Sequence, residues 1–159
     1  MAELTGVVCP GDIDTIYSRT AINLGTRAFD TDGNEYVYLK GCASTLAGSF
    51  VTYDEEFDTT LLAGDASGPV AIAQAAIVVD KYGWYCIYGK TTGLGVEGID
   101  DNEVTIGRSS ADGYVGSGVT AGDMIYGVIA RSALEADGAG GNFVIQIYYP
   151  FVDDQTGAH

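Results

Sequence analysis

Residues 68–90 read GPVAIAQAAIVVDKYGWYCIYGK, from Gly68 to Lys90, and hold the lone tryptophan, Trp84. Pro69 opens a strand in which Ala71, Ala73 and Ala75 share one face and Val70, Ile72, Gln74 and Ala76 the other. Asp80-Lys81-Tyr82-Gly83 turns the chain, and Trp84 to Tyr88 returns. Trp84, Cys86 and Tyr88 lie on one side of that return strand, Tyr85 and Ile87 on the other. Aromatic and β-branched residues bounded by Gly and Asp favour a pleated strand over a helix. The stretch predicts the centre of a small β-domain, with Trp84 buried beside Ile72, Ile87, Ile145 and Ile147.

The flanking sequence has the same character. Gly25 to Phe29, the turn Asp30-Thr31-Asp32-Gly33-Asn34 and Glu35 to Lys40 predict a hairpin, with Tyr36 and Tyr38 alternating against Val37 and Leu39. Phe50 to Tyr53 alternates as a strand and ends at the solvated trio Asp54, Glu55, Glu56. Further on, Glu103 to Ser109 reads as a strand. So does Asp123 to Ser132, with Met124, Tyr126, Val128 and Ala130 on one face and Ile125 and Ile129 on the other. Phe143 to Phe151 alternates Phe143, Ile145, Ile147 with Val144, Gln146, Tyr148, and its two apolar faces predict cover on both sides. Residues 91–101, 112–123 and 134–142 read as glycine-rich loops, and a short helix fits only near 10–18 or 131–137.

The fold class this predicts is all-β: a single-domain β-sandwich or distorted β-barrel of about eight to ten strands. Residues 1–23 form an extended N-terminal arm, 24–152 the β-domain and 153–159 a tail. The 159 residues suffice for one core. Hydrophobic residues are 47% against 18% charged, and 23 glycines with 3 prolines fit short strands joined by tight turns.

Charge and motif content exclude several functions. With 22 acidic and 7 basic residues the formal charge is −15, which repels phosphate backbones and anionic membranes. No nucleic-acid or membrane partner is expected, nor a secretory signal or a membrane span. Cys9, Cys42 and Cys86 are an odd set without CxxC spacing, predicting reduced thiols, with Cys42 and Cys86 as buried small hydrophobes. DTDGN matches a calcium loop only in part: Gly33 stands fourth, not sixth, and Gly41 occupies the place of the bidentate Glu. In GDASGP, Ala66 stands where a serine nucleophile would, and the one histidine is His159. Gly93, Gly95 and Gly98 match GxGxxG, but Asp100 and Asp101 follow where a helix N-terminus would hold phosphate. No metal or cofactor is expected, no catalytic constellation stands out, and the chain is read as a non-enzyme.

The succession of a GTR strand, a DG turn, a Tyr-rich strand, Val51-Thr52-Tyr53-Asp54, Gly68-Pro69-Val70-Ala71-Ile72-Ala73 and Tyr82-Gly83-Trp84 resembles the head decoration, or capsid cement, proteins of tailed bacteriophages. The resemblance covers Leu24 to Lys90. It implies a structural protein, made in the host cytoplasm and carried on the outer capsid surface of the virion. Such a protein bridges and stabilises the major capsid protein, as a homo-oligomer or as neighbouring copies, with no catalytic residues. The partner-binding residues expected on that reading are Val7, Val8, Ile13, Ile16, Tyr17 and Ile22, on an arm laid along a neighbour. The alternative is a carbohydrate- or receptor-binding β-domain of a phage fibre or surface protein, with Trp84 or Tyr85 exposed to stack on a sugar. A hydrolase built on Asp and Glu pairs ranks third, because no pair has a distinctive setting.

Overall fold

The hairpin around Asp30 shows how local chemistry sets the register. Both Asp30 carboxylate oxygens are engaged: Oδ1 accepts the Asp32 and Asn34 amides, each at 2.9 Å, and Oδ2 accepts Asn34 Nδ2 and the Tyr36 hydroxyl, each at 2.8 Å. These bonds close the turn between β1 (Arg27–Phe29) and β2 (Glu35–Lys40), pairing Arg27 with Val37 and Phe29 with Glu35. Burial by itself would raise the Asp30 pKa, but the four hydrogen bonds to the ionised form outweigh it and hold the group below its ordinary value of 3.8. Asp30→Ala is expected to lower stability by about 1–3 kcal/mol, since it leaves the Tyr36 and Asn34 donors without their acceptor. Because the folded pKa is depressed, this contribution is complete above the ordinary value and fades as pH falls through the folded one. Urea titrations of both proteins should therefore differ at neutral pH and converge in strong acid.

The computed structural model describes residues 13–18, 22–96, 98–117, 124–134 and 140–153. After the hairpin come β3 (Phe50–Tyr53), β4 (Thr59–Leu61), β5 (Gly68–Ala73), β6 (Tyr82–Gly95), β7 (Ile106–Arg108), β8 (Val115–Ser117), β9 (Ile125–Ala130) and β10 (Gly141–Val152). Strand order is β1-β2-β6-β10-β5-β3-β4, with β9 on β10 and the β7–β8 pair joined to β6 by one parallel pairing, Gly95 with Val115. The sheet is otherwise antiparallel and curls into a half-barrel, an all-β single-domain fold as expected. The described residues contain no helix, including 13–18 and 131–134.

Curling follows from how β5, β6 and β10 meet. β6 and β10 pair from Gly95–Gly141 to Tyr88–Tyr148 and then part. Beyond that point β5 pairs with both: Ile72 and Ala73 with Cys86 and Tyr85, Gly68 and Pro69 with Val152 and Phe151. Alternation then sends side chains to two cores. The larger takes Tyr36, Tyr38, Phe50, Val70, Ile72, Trp84, Cys86, Phe143, Ile145 and Ile147. The smaller takes Val37, Leu39, Val51, Ala71, Ala73, Ala75, Ile77, Tyr85 and Ile87, covered by Tyr53, Phe57 and Leu61. The predicted faces of β2, β5 and β6 hold, but Ile87 belongs to the second core and not beside Trp84, because it is odd in register with it. Cys86 is buried, which pushes its thiol up to about 12, whereas Cys42 is only half-buried, with Sγ 3.2 Å from the Thr45 hydroxyl.

Three readings are corrected. The turn before β6 comes earlier than expected, so Tyr82 and Gly83 already belong to the strand. Residues 91–95 are not a loop but the second half of β6. Glycine is required there by packing: a Cβ on Gly93 would lie 2.7 Å from the Phe50 ring, and one on Gly95 2.8 Å from Ile99 and 3.1 Å from Phe143. The first two glycines of GxGxxG thus answer to core packing, and the third, Gly98, to a left-handed backbone at φ +82° with open space around it. Finally, Ile125 joins Val128 and Ala130 inside while Tyr126 faces out, because Gly127, at φ +78°, breaks the alternation of β9.

Candidate interaction surface

The same break appears across the ladder in β10. Phe143, Ile145 and Ile147 point inward in regular alternation, but Tyr148 and Tyr149 are then both exposed, Pro150 is buried and Phe151 is exposed. Tyr149 has φ +49°, and the register with β9 shifts between Ile147 and Phe151. This is a β-bulge, which re-aims side chains at the cost of one ladder step. Gly127 makes room for it, since a Cβ there would sit 2.8 Å from the Tyr148 carbonyl oxygen. β10 is central as expected, but its outer face is not fully covered.

The bulge puts Tyr149 over a buried carboxylate. Glu35 is 4% exposed, takes Arg27 Nη1 at 3.0 Å on Oε1, and accepts the Tyr149 hydroxyl on Oε2. That hydrogen bond, with a smaller effect of burial, holds the Tyr149 phenol above its ordinary value. The Tyr88 ring bridges the tyrosines, 5.7 Å and edge-on to Tyr148, 5.2 Å and tilted to Tyr149. Cross-strand pairing aligns Phe29, Glu35, Tyr88 and Tyr148 in one row over β1, β2, β6 and β10. Farther along β10, Phe151 stands opposite Tyr126 on one side and Pro69 on the other. Phe29, Tyr126, Tyr148, Tyr149 and Phe151 are 39–55% exposed, an unusual concentration of rings on one part of a surface.

An open groove of about 450 Å³ adjoins this strip, lined by Tyr53, Asp54, Glu55, Asp58, Thr60 and Pro69 among others. Pro69 links it to Phe151, its ladder partner on β10. Burial pushes the Tyr53 phenol up, while Arg27 draws it down and Glu35 raises it. Asp54 Oδ1 caps the β3–β4 turn by accepting the Glu56 and Asp58 amides, and Asp58 faces Lys40 at 3.7 Å. A second groove of about 440 Å³ is lined by Asp30, Asn34, Gln74, Lys90 and Thr91; the Asp30 and Asn34 side chains are tied into the β1–β2 turn, Asn34 also accepts the Lys90 amide, and Thr91 donates to Gln74.

The residues expected to bind a partner fall elsewhere. Ile13, Tyr17 and Ile22 pack on the larger core of their own domain. Tyr17 bridges Tyr82 through two backbone hydrogen bonds of 2.8 and 3.0 Å, and its ring meets Tyr38 edge-on at 5.7 Å. Ile16 is exposed, and Val7 and Val8 lie outside the described residues. This portion of the arm therefore has an intramolecular seat. Trp84 and Tyr85 are fully buried, so neither can stack on a sugar. Ala66 sits between the β4–β5 turn and β5, packed against the larger core, and His159 lies outside the described residues. Among the described residues no group of three or more His, Cys, Asp or Glu stands close enough to hold a metal ion, and no helix is long and apolar enough to cross a membrane. The aromatic strip was hidden in sequence because strict alternation turns only every second residue of FVIQIYYPF outward; Tyr-Tyr-Pro opposite a Gly in the neighbouring strand was the available signal.

What fold and surface define together is the class of a β-domain with a ring-rich outer face beside an acidic groove. No protein-family model, curated protein or solved structure matches the chain.

Proposed function

We propose that the chain is a structural binding module, a decoration protein of a tailed-bacteriophage head that sits on the outer capsid surface and bridges subunits of the major capsid protein. The observation that carries this is the strip of exposed rings at the β10 bulge. These rings lie outside the fold's two cores and are 39–55% exposed, and large rings with polar tips are favoured at protein interfaces. The resemblance of Gly68–Ala73 and Tyr82–Trp84 to decoration proteins supports the same reading. The −15 charge keeps free copies apart until a partner offsets it. We read the module as acting without catalysis or cofactor, in the virion, on a protein partner.

The test is co-sedimentation of the purified protein with heads of its phage prepared without it. Saturable binding at a fixed number of copies per head is expected, with a higher temperature of head disruption. Heads that never retain the protein would overturn the reading. Because Tyr148 and Tyr149 are exposed, a sugar platform is the second reading, and glycan-array binding would favour it.

A further inference from the structure

Resting on the reading of a protein-binding module, we propose that the aromatic strip and the adjoining acidic groove together receive a basic segment of the partner protein, one that presents arginine side chains. Three observations converge on that chemistry.

The first is charge. A chain of formal charge −15 repels a second copy of itself, and its groove adds the carboxylates of Asp54, Glu55 and Asp58. The cations nearby are already engaged, Arg27 by Glu35 and Lys40 by Asp58, so they offset the buried Glu35 and part of Asp58 rather than the groove as a whole. Glu55 is exposed at the rim.

The second is the rings. Tyr126, Tyr148, Tyr149 and Phe151 are exposed aromatic side chains, and a guanidinium stacks on an aromatic face while keeping its in-plane N–H groups free for carboxylates. A strip of rings beside acids offers both contacts to one side chain. A lysine ammonium, hydrated and without a plane, uses the acids but gains less from the rings.

The third is an internal precedent. Arg27 already lies in this strip, half-exposed, with Nη1 on Glu35 in the row that includes Phe29 and Tyr88. The surface thus already holds one half-exposed guanidinium of its own chain on a carboxylate of the ring-bearing row.

The experiment uses the full chain and fluorescein-labelled peptides of alternating arginine and glycine, with lysine–glycine and glutamate–glycine peptides for comparison, followed by fluorescence anisotropy. The arginine peptide is expected to bind roughly three- to tenfold more tightly than the lysine peptide, and the glutamate peptide not at all. Tyr126→Ser with Phe151→Ser should weaken arginine binding by roughly tenfold, and Glu55→Gln by roughly threefold, with melting curves unchanged. Equal binding of the arginine peptide to wild type and to the ring variants would mean diffuse attraction and overturn the proposal. So would self-association that the ring variants abolish, or displacement of the peptide by oligosaccharides. The same variants are then tested on heads. Ring variants that decorate heads as wild type does would overturn the strip and leave the decoration reading standing. Arginine binding through the strip by a protein that never binds heads would do the reverse.

Discussion

Trp84→Ala is expected to destabilise the protein by about 3–5 kcal/mol, enough to unfold much of a marginal domain at 25 °C. Trp84 is fully buried in the larger core, against Tyr38 at 5.2 Å between ring centroids, with Tyr82 stacked on Tyr38 beyond it at 6.5 Å. The surrounding strands pair on both sides of β6 and cannot collapse into the vacated volume, so the cavity cost adds to the lost transfer energy. Trp84→Phe should cost only about 1–2 kcal/mol, because it keeps a ring in the site and removes an indole Nε1–H that has no hydrogen-bond partner among the described residues. Urea unfolding followed by circular dichroism measures both. In the wild type, tryptophan emission should be blue-shifted and shielded from acrylamide; a red-shifted, freely quenched Trp84 would contradict the burial on which the prediction depends.

Gly41→Ala should have an effect of similar size by a different mechanism. A Cβ on Gly41 would lie 1.9 Å from the Ile77 carbonyl oxygen and 2.5 Å from that of Val78, contacts with backbone rather than with a pliable side-chain end. The Gly41 amide also donates to the Lys81 carbonyl at 2.8 Å, so the 74–81 connection is strapped to this residue. Relief of the clash requires that connection to lift, and with it Ala75 and Ile77 leave the second core. A loss of at least about 3 kcal/mol is expected from overpacking against fixed backbone. Gly33→Ala is the matched control. Gly33 has φ +85° with open space around it, so alanine there meets only the left-handed backbone penalty of about 1–2 kcal/mol. Thermal melts of the pair separate steric from conformational cost; equal shifts would refute the close approach at Gly41.

The first half of the chain could be read from its residues because several independent signals agree there. Tyr36 and Tyr38 against Val37 and Leu39, closed by an Asp–Gly–Asn turn, specify strand, face and register together. The later strands resisted reading for a physical reason. Glycine ordinarily signals a loop, yet Gly93 and Gly95 lie in a strand because Phe50, Ile99 and Phe143 occupy the space a side chain would need. For Phe50 and Phe143 that demand comes from residues more than forty positions away and leaves no local trace. The strip at Tyr148–Phe151 was invisible for a related reason: a single positive φ at Tyr149 reverses the alternation, and the glycine that permits it lies on another strand. The seat of Ile13, Tyr17 and Ile22 on the larger core, with Tyr17 bonded to Tyr82, is a pairing that no short-range pattern announces.

The mutual pairing of β5, β6 and β10 also bears on synthesis. Residues 27–95 can form their hairpins as they leave the ribosome, but the far half of β6 gains its β10 neighbour only when residues 141–148 emerge. Until then Tyr88 to Gly95 is an uncovered sheet edge, rich in the backbone groups that recruit stray strands. Closure across so long a separation is slow compared with hairpin formation. Most of the negative charge, 20 of the 22 acidic residues, precedes residue 141 and is carried by the nascent chain as well, and like-charge repulsion between incomplete chains guards that edge during the wait. Acidity that reads as a property of the finished surface therefore also serves the unfinished one.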